Sequence, residues 1–248
     1  MHQMLSLLEQ ERLRERGIDM NLKGALIDFG DTLAYLDTEG NRRYQEELLA
    51  AVRIHGYRRD VNHIDSALEH ALGNSAKGEL KNLEEFWKLF LKRLGIPPHV
   101  ALLRELERVR SRHSATVFRL YDEAISVLSA LHAEYRLALV SNCAIGTADV
   151  IEALGLSDFF ECIILSYEVG VRKPDRRIYF EALRRLSLEA SECIFVADEI
   201  SDLEGAEEVG LRTLLVLQGS PTSCEAENPD FKPDFQCSNI SDVTTFLK

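Results

Sequence analysis

Asp28, Asp198 and Asp202 stand where carboxylates can do chemistry. Asp28 closes a short apolar run at 25–27 and is followed by Gly30, Asp31 and Thr32. Asp198 closes the run CIFVA, and Asp202 follows four residues later. A carboxylate presented on a turn can attack phosphorus and form an acyl phosphate, splitting one hard displacement into two easier ones. Three such groups in one cleft repel one another unless neutralised, and their hard oxygens attract Mg²⁺. Ser141-Asn142 closes another apolar run, RLALV, and VGVRKPD sets Lys173 just ahead of a helix start at Pro174-Asp175. With Thr32, these residues supply donors and one positive charge, which suits a phosphate or another oxyanion. Mg²⁺ would draw nucleophile and phosphate together despite their like charges.

Each signal alone has an ordinary structural explanation. An Asp after a strand caps turns, Ser-Asn starts helices, Lys-Pro-Asp opens them, and acids favour helix N-termini. Their joint occurrence, in order and at successive strand ends, is what points to a site.

The elements that would position these residues follow from the apolar pattern. Runs at 25–27, 136–140, 162–165, 193–197 and 213–217 lack polar alternation, as buried parallel strands do. Helical segments such as ADVIEALGL, RRIYFEALRRL and LEGAEEVGL lie between the last four. Strand–helix alternation predicts an α/β fold with a doubly wound, mostly parallel sheet, whose sites form at the carboxyl ends of its strands. The stretch between the first and second runs reads as helical throughout. In NLEEFWKLFLKRL, the residues Leu83, Phe86, Trp87, Phe90, Leu91 and Leu94 mark one apolar face. An all-helical module over 37–116 is therefore expected as an insertion. The core would comprise 21–36 and 117–248, preceded by an N-terminal helical extension over 1–20. Residues 218–234 read as an irregular loop before a final strand and helix.

The chain has 248 residues and a net charge of −12, from 29 Lys and Arg against 41 Asp and Glu. That balance excludes a broad nucleic-acid-binding surface and requires any positive charge at an anion site to be local. The five cysteines show no metal-ligand or CxxC spacing, and three sit in or beside strand-like runs. No stretch reads as a signal peptide or a membrane span. A reducing, cytoplasmic setting is expected, with no membrane or nucleic-acid partner and a monomer or homodimer as the working form.

The ordered set LIDFGDTL, LALVSN, VGVRKPD and FVADEISDLEGAEEVG resembles the four motifs of the haloacid dehalogenase superfamily, over the chain beyond about residue 22. The helical insertion resembles that family's cap of the first type. The resemblance implies a Rossmann-like core, a mobile helical cap and Mg²⁺-dependent phosphatase activity on a small phosphorylated metabolite. It implies Asp28 as nucleophile, with Thr32, Ser141 and Asn142 on the phosphate and Lys173 stabilising its charge. Asp28, the Gly30 carbonyl and Asp198 would bind Mg²⁺, with Asp202 as ligand or as a partner behind the ligands.

Two positions depart from the pattern. The family's phosphatases carry a second Asp where this chain has Gly30, and a glycine where it has Ala197. The Gly30 carbonyl still suits the metal, but the group that protonates the leaving alcohol is missing. Asp31 is the candidate substitute acid if the loop bends toward the cleft; otherwise it caps the turn. Three other readings stay open: a dehalogenase, a phosphonate-cleaving enzyme using a cap lysine (Lys77, Lys81, Lys88 or Lys92), and a non-catalytic binding protein.

Overall fold

A central sheet of six parallel strands organises the computed structural model, which describes residues 21–218 and 231–247. The expected N-terminal helix lies outside the described residues. In chain order the elements are β1 (Gly24–Ile27), β2 (Ala34–Leu36), α1 (Thr38–Ile54), α2 (Val61–Ala76), α3 (Leu83–Arg93), α4 (Val100–His113) and β3 (Phe118–Leu120). They continue with α5 (Ala124–His132), β4 (Arg136–Ser141), α6 (Thr147–Ala153), β5 (Cys162–Leu165), α7 (Ser166–Val169) and α8 (Arg176–Leu186). The chain ends with β6 (Cys193–Ala197), α9 (Ile200–Glu207), β7 (Arg212–Val216), β8 (Phe235–Cys237) and α10 (Val243–Phe246).

The strand order is β5-β4-β1-β6-β7-β8, with Leu26 in register with Ala138 on one side and Phe195 on the other. Winding proceeds outward from β1 in both directions, so the crossover leaves a crevice at the carboxyl ends of β4, β1 and β6. Both faces of the sheet are apolar. Ala25, Ile27, Leu137, Leu139, Ile194 and Val196 pack on one side, and Leu26, Ala138, Val140, Phe195 and Ala197 on the other. That two-sided burial is why these strands read as continuous apolar runs.

Helices α1–α4 build a separate core around Leu48, Ile64, Trp87, Phe90, Leu102 and Leu106. Each begins with a capped turn: Asp37, Asp60, Asn82 and His99 accept backbone N–H groups of Gly40, His63, Glu85 and Leu102. On α3, Phe86, Trp87, Phe90 and Leu91 are buried, as its spacing predicts.

The stretch between β1 and β4 is not helical throughout. Just outside the helical module, on either side of it, lie the short strands β2 and β3, which pair antiparallel with Ala34 opposite Leu120 and Leu36 opposite Phe118. Strands of 3 residues show no readable alternation, and their pairing partner lies across the whole helical module. The junction is tight. Asp37 N–H donates to the Val117 carbonyl at 2.9 Å, and Arg119 Nη2 lies 2.9 Å from Asp37 Oδ2. A Cβ placed on Gly40 would sit 1.7 Å from the Thr116 carbonyl oxygen. Gly40→Ala is therefore expected to destabilise the protein by about 1–3 kcal/mol. Urea unfolding followed by the fluorescence of Trp87 measures this, and an unchanged midpoint would show that the first turn of α1 moves aside freely.

Candidate active site

The end of β1 delivers Asp28 into the crevice. Its backbone N–H donates to the Val196 carbonyl at 2.9 Å, extending the sheet ladder by one residue. Its Oδ1 accepts the Phe29 N–H at 2.7 Å. Lys173 Nζ lies 2.7 Å from Asp28 Oδ2 and 2.8 Å from Asp202 Oδ2, and the lysine is 2% exposed. Its ammonium also stands 5.2 Å from the centroid of the Phe195 ring. Burial works against the Lys173 charge, but Asp28 and Asp202 outweigh it and hold the ammonium above its ordinary pKa. Burial raises the Asp28 carboxyl, Lys173 opposes that rise, and Asp202 adds to it. Burial, then the charge of Asp28, pushes Asp198 up to about 7. Asp28 and Asp202 thus share one ammonium while Asp198 has the Thr32 hydroxyl, leaving the crevice short of positive charge.

The other predicted residues divide by what they touch. Ser141, at the end of β4, is buried and lines the cavity above the sheet. Thr32 is fully buried, and its hydroxyl donates to Asp198 Oδ1 at 3.2 Å, so its immediate partner is a carboxylate. Asn142 holds the Lys173 backbone from both sides: its Oδ1 accepts the Lys173 N–H at 2.8 Å, and its Nδ2 donates to the Lys173 carbonyl at 3.0 Å. The Asn142 side chain is therefore engaged in placing the lysine. Ala197 is buried in the sheet core, which accommodates its methyl group.

The loop after β1 has an unexpected shape. The left-handed residue is Asp31, with φ 52°, whereas Gly30 does not adopt a left-handed backbone. Asp31 N–H donates to the Ala34 carbonyl and Ala34 N–H to the Phe29 carbonyl, a pattern that leaves the Gly30 carbonyl outside the ladder. A Cβ on Gly30 would meet nothing within 4 Å. Gly30 is open to the cavity, which has a volume of about 1070 Å³ and is walled by strand ends below and by α1, α2 and α4 above.

The oxygens available suit a hard cation. Among the described residues, no set of three or more His, Cys, Asp or Glu side chains forms a metal cage. Mg²⁺ does not require one, because it binds through one or two carboxylates and completes its shell with water and phosphate oxygens.

A family description of haloacid dehalogenase-like hydrolases matches residues 22–210, which span every residue of this site. The chain belongs to the haloacid dehalogenase-like hydrolases. It is 27% identical over 218 residues to a glyceraldehyde 3-phosphate phosphatase from Methanopyrus kandleri, covering 87% of this chain and 92% of that one. Haloacid dehalogenase-like hydrolase domain-containing protein 3 from Mus musculus is 37% identical over 87 residues, 35% of each chain. Among solved structures, a 2-haloacid dehalogenase from Pseudomonas syringae pv. Tomato superposes with a TM-score of 0.70 at 25% identity, over 91% of this chain and 98% of that one.

Within this haloacid dehalogenase-like site, several residues carry no sequence signal. Ser166 Oγ accepts the Cys143 N–H at 3.0 Å and donates to the Cys143 carbonyl at 3.2 Å, bracing the loop after β4. Ser75 reaches down from α2, and its hydroxyl accepts the Ile145 N–H of the same loop at 2.7 Å. Gly205 lets α9 approach the Lys173-Pro174 turn, since a Cβ there would lie 2.4 Å from the Pro174 carbonyl. Removing the lysine charge tests the electrostatic account. Lys173→Met leaves Asp28 and Asp202 buried without a counter-charge and is expected to cost about 3–5 kcal/mol. Adding Asp202→Asn should recover part of that loss in chemical denaturation, and a stable single variant would refute the coupling.

Proposed function

We propose that this hydrolase is a Mg²⁺-dependent phosphatase that transfers the phosphoryl group of a small phosphorylated metabolite to Asp28 and then to water. The observation that carries this reading is the buried Asp28–Lys173–Asp202 pair of contacts beside a neutralisation-deficient Asp198. Two phosphatase-named archaeal relatives, from Methanopyrus kandleri and Methanocaldococcus jannaschii, support it over most of the chain. Asp28, Asp198 and the free Gly30 carbonyl would hold Mg²⁺. When bound, the ion supplies positive charge that draws the phosphate to the nucleophile and stabilises charge on the transferring group.

In the first step an Asp28 carboxylate oxygen attacks phosphorus. The bond from phosphorus to the leaving oxygen breaks, and its electron pair departs with that oxygen. Lys173 and Ser141 stabilise the phosphoryl oxygens through charge-assisted and neutral hydrogen bonds. Asn142 keeps Lys173 in place, and Thr32 orients Asp198. In the second step water attacks the same phosphorus, the bond to Asp28 breaks, and the carboxylate is regenerated. Asp202 balances Lys173 throughout.

The dehalogenase reading draws on the likeness to the Pseudomonas syringae enzyme and on the missing second Asp. The grouping of buried Asp28 and Asp202 with half-buried Asp198 opposes it, because displacement of halide needs no such excess of carboxylate. The cap lysines Lys77, Lys81, Lys88 and Lys92 are all exposed, which gives the phosphonate reading no desolvated amine. As partners, the same proposal takes a small phosphorylated metabolite and neither nucleic acid nor membrane, with a monomer or homodimer working in the cytoplasm. The described cysteines are unpaired, and burial pushes Cys193 up to about 12, as for an inert core thiol.

Purified protein is expected to hydrolyse p-nitrophenyl phosphate with Mg²⁺ and not in EDTA, and Asp28→Asn should lower the rate by roughly 10³-fold or more. Full activity in EDTA, or in the Asp28→Asn variant, would exclude this mechanism. Halide release from 2-chloropropionate without metal would favour the dehalogenase.

A further inference from the structure

We infer that the substrate is a phosphomonoester whose leaving group is uncharged, partly apolar and able to depart unprotonated, as an aryl or enol phosphate is. The inference rests on the phosphatase reading and deepens it. Three features of the cavity carry it independently.

The first is charge. Eight carboxylates line the cavity against three Arg and Lys side chains. Lys173 is held by Asp28 and Asp202. Arg110 is held by Glu107 at 2.6 Å and by Asp149. Arg172, exposed at the rim, is the cation that has no ion-pair partner among the described residues. On the cap wall stand Asp65 and Glu69, one turn apart on α2, with Asp65 accepting a hydrogen bond from Gln45 at 2.7 Å. One phosphate can be balanced at the strand ends by Lys173 and a bound divalent cation. A second anion on the leaving group would meet Asp65 and Glu69 on the cap wall, against Arg172 as the single unpaired cation at the rim among the described residues. Bisphosphates and phosphorylated carboxylic acids are therefore disfavoured.

The second is apolar surface. Leu36 and Leu72 are 52% and 43% exposed, and both face this cavity together with Phe118 and Ile145. Large apolar side chains left open inside a cleft mark the place of a ligand's apolar part.

The third is the proton. Position 30 opens into the cavity with no side chain, and the next carboxylate, Asp31, lines the cavity one residue later on a left-handed backbone tied to Ala34. Without an acid at position 30, the P–O bond breaks with its electron pair remaining on the leaving oxygen, which takes its proton from water afterwards. That route is open to phenolates and enolates and closed to ordinary alkoxides, which lose the 10²–10⁴-fold assistance a placed acid typically supplies, about that range being the expected penalty.

The test compares phenyl, benzyl and 4-carboxyphenyl phosphates with Mg²⁺. Phenyl phosphate should exceed benzyl phosphate in kcat/KM by roughly 10²-fold or more. It should exceed 4-carboxyphenyl phosphate by about five- to tenfold, although the carboxylated phenolate is the better leaving group. Gly30→Asp, for which there is room, should narrow the first gap, and Asp65→Asn with Glu69→Gln should narrow the second; thermal unfolding checks that each variant is folded. Equal rates on phenyl and benzyl phosphates, or a preference for the carboxylated substrate, overturns the inference. A phenyl-to-benzyl gap that widens in Asp31→Asn would also overturn it, by showing that Asp31 delivers the proton. Absence of Mg²⁺-dependent turnover of every substrate would instead defeat the phosphatase reading beneath it.

Discussion

The buried ammonium of Lys173, shared between Asp28 and Asp202, is the contact on which the rest of the site depends. An ion group with this little exposure carries a heavy desolvation cost, and the attraction offsets it only if the partners are held in place. Much of the surrounding structure does that holding. Asn142 clamps the lysine backbone from the end of β4. Gly205 admits α9 against Pro174, and the Tyr179 hydroxyl donates to the Asp202 carbonyl at 2.6 Å. Asp28 is fixed by the β6 backbone on one side and by its own neighbour's N–H on the other. Strands β1, β4 and β6 therefore meet at a charge pattern that none of them carries alone.

The same pattern explains the division of labour above the sheet. The crevice is rich in negative charge at its floor and again at the α2 wall, where Leu72 also lines it. In the proposed phosphatase, a phosphate would be acceptable at the floor because Lys173 is there, and selectivity would come from what the upper wall rejects as much as from what it contacts.

The sheet and the four strand-end motifs were legible in the sequence for a physical reason. Strands covered on both faces leave unbroken apolar runs, and residues at their carboxyl ends fall into one crevice by topology. Asp28, Lys173 and Asp202 could be grouped on that basis before any coordinate was known. The partners of Thr32 and Asn142 were not legible, because a hydroxyl or an amide near a site can face a ligand or a neighbouring residue with equal ease. Ser75 and Ser166 were silent for a related reason: each acts on a backbone amide, and that demand leaves no trace in spacing. The pair β2 and β3 stayed hidden because two three-residue strands separated by a whole helical module share no local pattern.

That pair has a consequence for the molecule's history. Both crossings between sheet and helices run side by side, one leading out and one leading back, with Gly40 pressed against Thr116. The covalent link is this two-stranded ribbon, and Ser75 on Ile145 and Arg110 on Asp149 add contacts between the helices and the loop after β4. The helical core shares no residue with either sheet core. Cutting the module out would leave two chain ends about 5 Å apart, one strand spacing, which a tight turn can join. The helices thus carry a hydrophobic core of their own, joined to the sheet where β2 and β3 pair. Descendants of such a chain can exchange what they recognise while the strand-end chemistry stays where it was.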